Sequence, residues 1–315
     1  MVELTYLQAV VIGLLQGVTE LFPISSLGHS VLVPAWLGGD WKHLVTEYSS
    51  ADSGQSPYLA FIVALHVATA VALLIYYRRD WIAIIGAFLT TLRTRKVETS
   101  TQRLAWLIVI ATIPVGITGL ALEHVFRVLF AKPVAAAAFL TVNGLILLVG
   151  ERLRSRSEVR AAVHASVGAH RDQTDADDIE AKRVAGPARR LESLSYREAG
   201  IIGLFQTFAL LAGISRSGIT MVGGLLRGLD HEDAAKFSFL LATPVILAAG
   251  VLKIPSLFGP AGAQIHGQVI AGAIVAGLAA YASVRFLTHY FTTRTLTPFA
   301  IYCLVAGVAS LIKFA

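Results

Sequence analysis

The sequence predicts an all-α integral membrane protein with six transmembrane helices plus two re-entrant helical hairpins, laid out as an inverted-topology repeat. Three observations lead there. The 315 residues are 55% hydrophobic and only 15% charged, against about 25% charged in a soluble domain. Six apolar runs reach the about 17–25 residues needed to cross a hydrocarbon core. One polar-studded stretch near the N-terminus returns in the second half of the chain without a gap, the mark of a duplicated unit.

The first element is a hairpin over residues 4–37. Its arms, Leu4–Phe22 and Ile24–Leu37, meet at Pro23, which removes a backbone donor and pushes Phe22 out of the helical region. The second arm is too short to span. A polar break at membrane depth is tolerated only where protein or a water-filled cavity surrounds it, so the stretch reads as re-entrant. Spans follow at residues 57–77, 104–122 and 133–150, completing a first repeat over 1–150. Residues 151–197 mix both charge signs, lack aromatics over most of their length and read as a largely disordered linker, with amphipathic binding to lipid headgroups as the alternative. The second repeat, 198–315, opens with a hairpin over 198–229 and continues with spans at 237–254, 269–288 and 298–315. Pro114 and Pro244 lie inside two spans and read as local kinks.

Orientation follows from lysine and arginine. Arg78, Arg79, Arg93, Arg95, Lys96 and Arg103 follow the first span, and ten basic residues lie in 151–197. Both segments are therefore placed in the cytoplasm. Three spans per half then insert the second half upside down, so the two hairpins enter from opposite sides with their tips meeting near the midplane. The net charge of +6 concerns this topology. No aromatic-and-basic nucleic-acid motif is visible. The single cysteine, Cys303, excludes an internal disulfide. The N-terminus lacks the basic flank and cleavage site of a signal peptide, so the first helix is expected in the mature protein.

The repeated stretches carry the chemistry. Gly13, Gln16, Ser25 and Gly28 recur as Gly203, Gln206, Ser215 and Gly218. The copies differ at Glu20 against Leu210, Ser26 against Arg216, and His29 against Ile219. Glu20 inside an apolar segment is costly and marks function by default. With Gln16 one turn earlier it offers hard oxygen donors to Mg²⁺ or Ca²⁺; a glutamate that locks two helices together is an equal alternative. Ser25 and Ser26 open a helix, where serines are ordinary caps and where backbone N–H groups also face anions. His29 lies three residues beyond Ser26, close enough on a helix to act as base to a serine nucleophile. Arg216 offers a fork that matches phosphate, with Ser215, Ser217 and Thr220 adding hydroxyls; a salt bridge to Glu20 is its alternative. His66 could line the same pocket, although a packed core histidine is the commoner case. Asp230 and Asp233 read as a helix cap and a first-turn acid. The whole set suits phosphoryl transfer to or from a lipid-tailed substrate. A flippase or transporter with a midplane site, or a lipid-binding scaffold, are the competing classes.

QGVTELFPISSLGH closely resembles the first signature of the bacterial undecaprenyl-diphosphate phosphatases, the bacitracin-resistance family, and GISRSGIT resembles the second. The resemblance implies hydrolysis of undecaprenyl diphosphate to the monophosphate and phosphate, recycling the carrier of cell-wall synthesis. It implies dependence on Mg²⁺ or Ca²⁺ and a multi-pass protein of the bacterial plasma membrane, its site open to the outer face. Membrane lipids are the expected surroundings, and a homodimer is left open. The family's functional positions fall on Gln16, Glu20, Ser26, His29, Ser215, Arg216 and Thr220. Gln16 stands where glutamate is commoner, and Ala212 replaces a motif proline. Ser26 is expected as the attacking group, with His29 as its base.

Overall fold

The computed structural model describes residues 4–42, 57–130, 132–169, 189–253 and 265–315. Its elements are α1 (Tyr6–Thr19), α2 (Ser26–Leu37), α3 (Pro57–Tyr76), α4 (Arg78–Thr94), α5 (Ser100–Phe130), α6 (Pro133–Ala169), α7 (Tyr196–Thr207), α8 (Arg216–Leu225), α9 (His231–Lys253), α10 (His266–Tyr290) and α11 (Thr297–Phe314), with short 3₁₀ turns at Leu191–Ser193 and Phe208–Leu210. The described residues form no strand, only one isolated bridge between Arg189 and Leu229. Among the described residues, five helices contain a stretch long and apolar enough to cross a membrane: Ser100–Leu122, Pro133–Ser157, His231–Val251, His266–Tyr290 and Thr297–Phe314. The bent pair α3–α4 makes a sixth candidate. The fold is that of a multi-pass helical membrane protein.

The two copies start alike. Thr5 caps α1 and Ser195 caps α7, each at φ −78° and ψ 157°, and each closes a capping box with the residue three positions on, Gln8 or Glu198. Each copy packs on a helix of the other half, α1 on α10 and α7 on α5. Close approach is what Gly13 and Gly203 provide. A Cβ on Gly13 would strike the Gly272 carbonyl, and one on Gly203 the Ala111 carbonyl. Helices α6 and α11 also pack on each other.

Two segments depart from expectation. Residues 78–94, counted only as a basic loop, form α4, which turns away from α3 by 87°. Their apolar residues recur with a helical period that a count of arginines does not register. The 151–197 segment is not disordered throughout. Helix α6 runs on to Ala169 through a stretch rich in alanine, arginine and glutamate, all good helix formers. Residues 189–195 return as ordered chain, where Asp233 accepts the Leu191 N–H at 2.9 Å and the Arg189 N–H donates to the Gly228 carbonyl at 3.1 Å. The middle of that segment, 170–188, lies outside the described residues. Asp230 caps α9 as expected, accepting the Asp233 N–H at 2.7 Å.

Candidate active site

Each copy of the repeat breaks at its middle, and the two breaks touch. In the first, α1 ends at Thr19 and Pro23 prevents its continuation, so the chain turns through 20–24 before Ser26 starts α2. In the second, Gly213 takes φ +114°, a conformation glycine adopts without strain, and Arg216 starts α8. A Cβ on Gly28 would sit 2.9 Å from the Gly213 Cα, so the two backbones meet with no side chain between them. The amino ends of α2 and α8 thereby come to one place, and helix amino ends favour anions.

Glu20 is the hub. Its Oε1 accepts from Arg216 Nη2 at 2.6 Å. Its Oε2 accepts from Ser26 Oγ at 2.5 Å and from Gln16 Nε2 at 3.0 Å, with His66 Nε2 at 3.3 Å. The Glu20 and Arg216 side chains are 5% and 14% exposed, so solvent does little to weaken this pair. The salt bridge from Arg216 to Glu20 is present, and His66 contacts the site instead of packing only in the core.

Ser26 pairs with Glu20, not with His29. Both nitrogens of His29 are engaged elsewhere. Nδ1 lies 2.7 Å from the Ser25 carbonyl, one turn back, and Nε2 lies 2.7 Å from the Tyr302 hydroxyl on α11. A carbonyl can only accept, so Nδ1 carries a proton, and Nε2 shares a hydrogen bond with the Tyr302 hydroxyl. The two rings also stack, their centroids 5.7 Å apart. The i, i+3 spacing puts His29 near Ser26 along the helix, but the ring follows its own i−4 carbonyl and a partner from the far end of the chain.

The hydroxyls expected around a phosphate are placed in two ways. Ser25, Ser215 and Ser217 bind the two breaks to each other. Ser25 Oγ accepts from Gly28 N and from Gly213 N across the contact, both at 3.2 Å. Ser217 Oγ donates to the Phe22 carbonyl at 3.2 Å and lies 3.0 Å from Ser215 Oγ, which caps α8 by accepting from Gly218 N at 3.1 Å. Thr220 Oγ1 is buried without a hydrogen-bond partner among the described residues. Ser25 is also one of two non-glycine residues with positive φ among the described residues, at +71°, and such strain persists only where the surroundings over-determine it.

Sequence reasoning missed Asn143. This fully buried side chain on α6 donates from Nδ2 to the Pro23 carbonyl at 3.0 Å and accepts the Ser215 N–H on Oδ1 at 2.9 Å. One amide thus holds both breaks. The available signal was an asparagine within an otherwise apolar span, where a polar residue costs energy unless it has partners. Tyr302 gave no comparable signal.

A divalent cation meets a mixed donor set. Gln16 Oε1 is buried beside Glu20 and has no hydrogen-bond partner among the described residues. The carboxylate already receives three hydrogen-bond donors, and among the described residues no group of three His, Cys, Asp or Glu side chains could hold a metal. This set does not form an all-protein cage. It fits Mg²⁺ held by one carboxylate and one amide with the remaining ligands from a phosphorylated substrate, the usual arrangement for that ion.

A serine hydroxyl on a buried carboxylate, with an arginine reaching across from a second broken helix, defines a class: integral membrane proteins equipped to handle an anionic group within their helices. Within that class the chain belongs to the family of the bacitracin resistance protein BacA, whose model matches residues 9–309. It is similar to undecaprenyl-diphosphatase 2 of Frankia alni, with 65% identity covering 99% of both chains. It is also similar to the undecaprenyl-diphosphatases of Mycolicibacterium paratuberculosis, at 58% identity, and Mycobacterium avium, at 57%, each match covering 99% of this chain and 98% of the relative.

Proposed function

We propose that this protein hydrolyses undecaprenyl diphosphate to undecaprenyl phosphate and inorganic phosphate, and so recycles the lipid carrier of cell-wall synthesis and confers bacitracin resistance. The observation that carries the reading is the 2.5 Å hydrogen bond from Ser26 Oγ to Glu20 Oε2, set beside Arg216 at the junction of two helix amino ends. The names of the full-length relatives supply the substrate.

In this reading Ser26 Oγ attacks the terminal phosphorus while Glu20 takes the hydroxyl proton. The bond to the bridging oxygen breaks, undecaprenyl phosphate leaves and a phosphoserine remains. Water then attacks the phosphoserine, the Ser26 Oγ–P bond breaks, Ser26 Oγ takes back the proton held on Glu20, and inorganic phosphate leaves carrying both protons of the water. Arg216 moves from Glu20 to the phosphoryl oxygens, where its fork and the amide groups of α2 and α8 neutralise the developing charge. Thr220, with its unpartnered hydroxyl, is assigned to the same phosphate. Ser25, Ser215 and Ser217 shape the cradle through the backbone. His29 becomes a positioning residue, whose Nδ1 proton holds the strained Ser25 turn that aims Ser26. Mg²⁺ or Ca²⁺ held by Gln16 and Glu20 would supply further charge neutralisation on the diphosphate.

The architecture proposed is the inverted repeat, 1–150 and 198–315, in the bacterial plasma membrane with the site open to the outer face. The exchanged packing of α1 on α10 and α7 on α5 supports it, as does the match of the two capping boxes. A flippase would share this architecture. A hydroxyl held on a carboxylate favours bond cleavage over carriage.

Phosphate release from undecaprenyl diphosphate in detergent separates the two, because no transport is possible there. Quenching with labelled substrate is expected to leave an acid-stable phosphate on Ser26. Ser26→Ala and Glu20→Gln should each lose more than about 10³-fold in kcat, the scale of a nucleophile and base acting as a unit. An acid-labile, base-stable phosphate on His29 would overturn the assignment, and absence of phosphate release from the wild type would remove the enzyme reading.

A further inference from the structure

We propose that α4 is an interfacial helix, seated in the headgroup layer of an anionic phospholipid leaflet beside the spans. It leaves α3 at 87°, so if α3 crosses the membrane α4 runs along the surface. Just before the bend α3 exposes Val71 and Ile75, which bring the lipid-facing apolar surface up to the start of α4.

Helix α4 is three-sided. Trp81, Ile84, Phe88 and Thr91 form the side against the protein. Ile84 lies in the main core, Phe88 packs on Trp106 of α5 with ring centroids 5.3 Å apart, and Thr91 Oγ1 accepts from Trp106 Nε1 at 3.0 Å. On the helical repeat Ile82, Ile85, Leu89 and Leu92 form the next stripe. They are 73%, 51%, 58% and 53% exposed, an unbroken apolar strip that water would penalise. The third side, Ala83, Gly86, Ala87 and Thr90, is small and weakly polar. One face on protein, one apolar face beside it and one open face suit a helix lying at the boundary between headgroups and acyl chains.

The charges select the lipid. Residues 77–98 hold five basic side chains, Arg78, Arg79, Arg93, Arg95 and Lys96, which gather at the two ends of the helix. The acids are Glu98, beyond the helix, and Asp80, which is paired with Lys236 of α9 at 2.7 Å. Long basic side chains at the ends of an interfacial helix reach up to headgroups while their stems cover apolar surface. Basic clusters beside a membrane favour anionic headgroups.

The test uses the whole protein in nanodiscs of phosphatidylglycerol and phosphatidylcholine. Single cysteines at Ile85, Leu89 and Thr90, in a Cys303→Ala background, carry a small fluorophore. The labels at 85 and 89 should be quenched by a nitroxide high on a lipid acyl chain more strongly than by aqueous iodide, and the label at 90 should show the reverse order. Iodide quenching at 85 and 89 equal to that at 90 would overturn the proposal. Protection from both quenchers would mean that a second protein chain covers the stripe, and would overturn it equally. For the lipid class, the nitroxide is placed on phosphatidylglycerol or on phosphatidylcholine. The glycerol lipid should quench position 85 more strongly, and the excess should vanish in an Arg78→Gln, Arg79→Gln, Arg93→Gln variant. Equal quenching by the two lipids in the wild type would refute the anionic preference.

Discussion

Replacing Asn143 by leucine should loosen the junction between the two breaks without touching any group proposed to meet substrate. Leucine keeps a similar volume, so no sizeable cavity opens. It removes the donor to the Pro23 carbonyl at 3.0 Å and the acceptor of the Ser215 N–H at 2.9 Å. Both backbone groups stay buried, and a buried group left unsatisfied costs about 1–3 kcal/mol. Cys303 Sγ lies 3.9 Å from the same carbonyl and offers only a weak donor in compensation. The Asn143→Leu variant should therefore lose about 2–6 kcal/mol of stability. Activity should fall as well, because Pro23 precedes Ser26 by one short turn and Ser215 precedes Arg216. Displacement of reacting groups by about 1 Å can cost about 10²-fold in rate. Thermal unfolding in detergent and phosphate release read the two effects separately. A variant with wild-type melting and wild-type turnover would show that the breaks are held by other contacts, and would refute the reasoning.

Three further outcomes are expected. Arg216→Met leaves Glu20 buried without its cation and should cost about 3–5 kcal/mol, whereas adding Glu20→Gln should recover much of the stability and none of the activity; melting and turnover that recover together would contradict the proposed chemistry. Gly203→Val should drive α7 off α5 against the Ala111 carbonyl and sharply reduce folded protein in detergent, while Gly116→Ala, where a Cβ meets open space, should be tolerated; equal yields would refute the close approach. Hydrogen bonds from Arg189, then from Ser195, hold the Glu198 carboxyl at about 2, below its ordinary 4.5, at the exposed start of α7. A depressed carboxyl contributes stability that is full above pH 4.5 and lost as pH falls toward 2, so the melting difference between wild type and Glu198→Gln should shrink across that window; a difference unchanged down to its lower end would remove the ion pair as the cause.

By itself the sequence located most of the helices and both breaks. Apolar length marked the candidate spans, Pro23 marked the first break, and the recurrence of one pattern marked the second. A carboxylate, an arginine and serines in apolar surroundings marked the site, because a polar side chain survives there only with a partner. Identifying those partners required the tertiary structure. Helical spacing placed His29 within reach of Ser26, yet Glu20, six positions earlier and across the Pro23 turn, holds the hydroxyl. Asn143, His66 and Tyr302 join the site from α6, α3 and α11, and no local pattern states which face of one helix meets which face of another. The same limit applies to α4. Its period announces a helix, but only packing of Ile84 and Phe88 against the core, with Asp80 drawn to Lys236, turns it 87° from the span before it. Periodicity constrains a helix about its own axis; the direction of that axis, and the partner of each buried group, come from contacts between residues far apart in the chain.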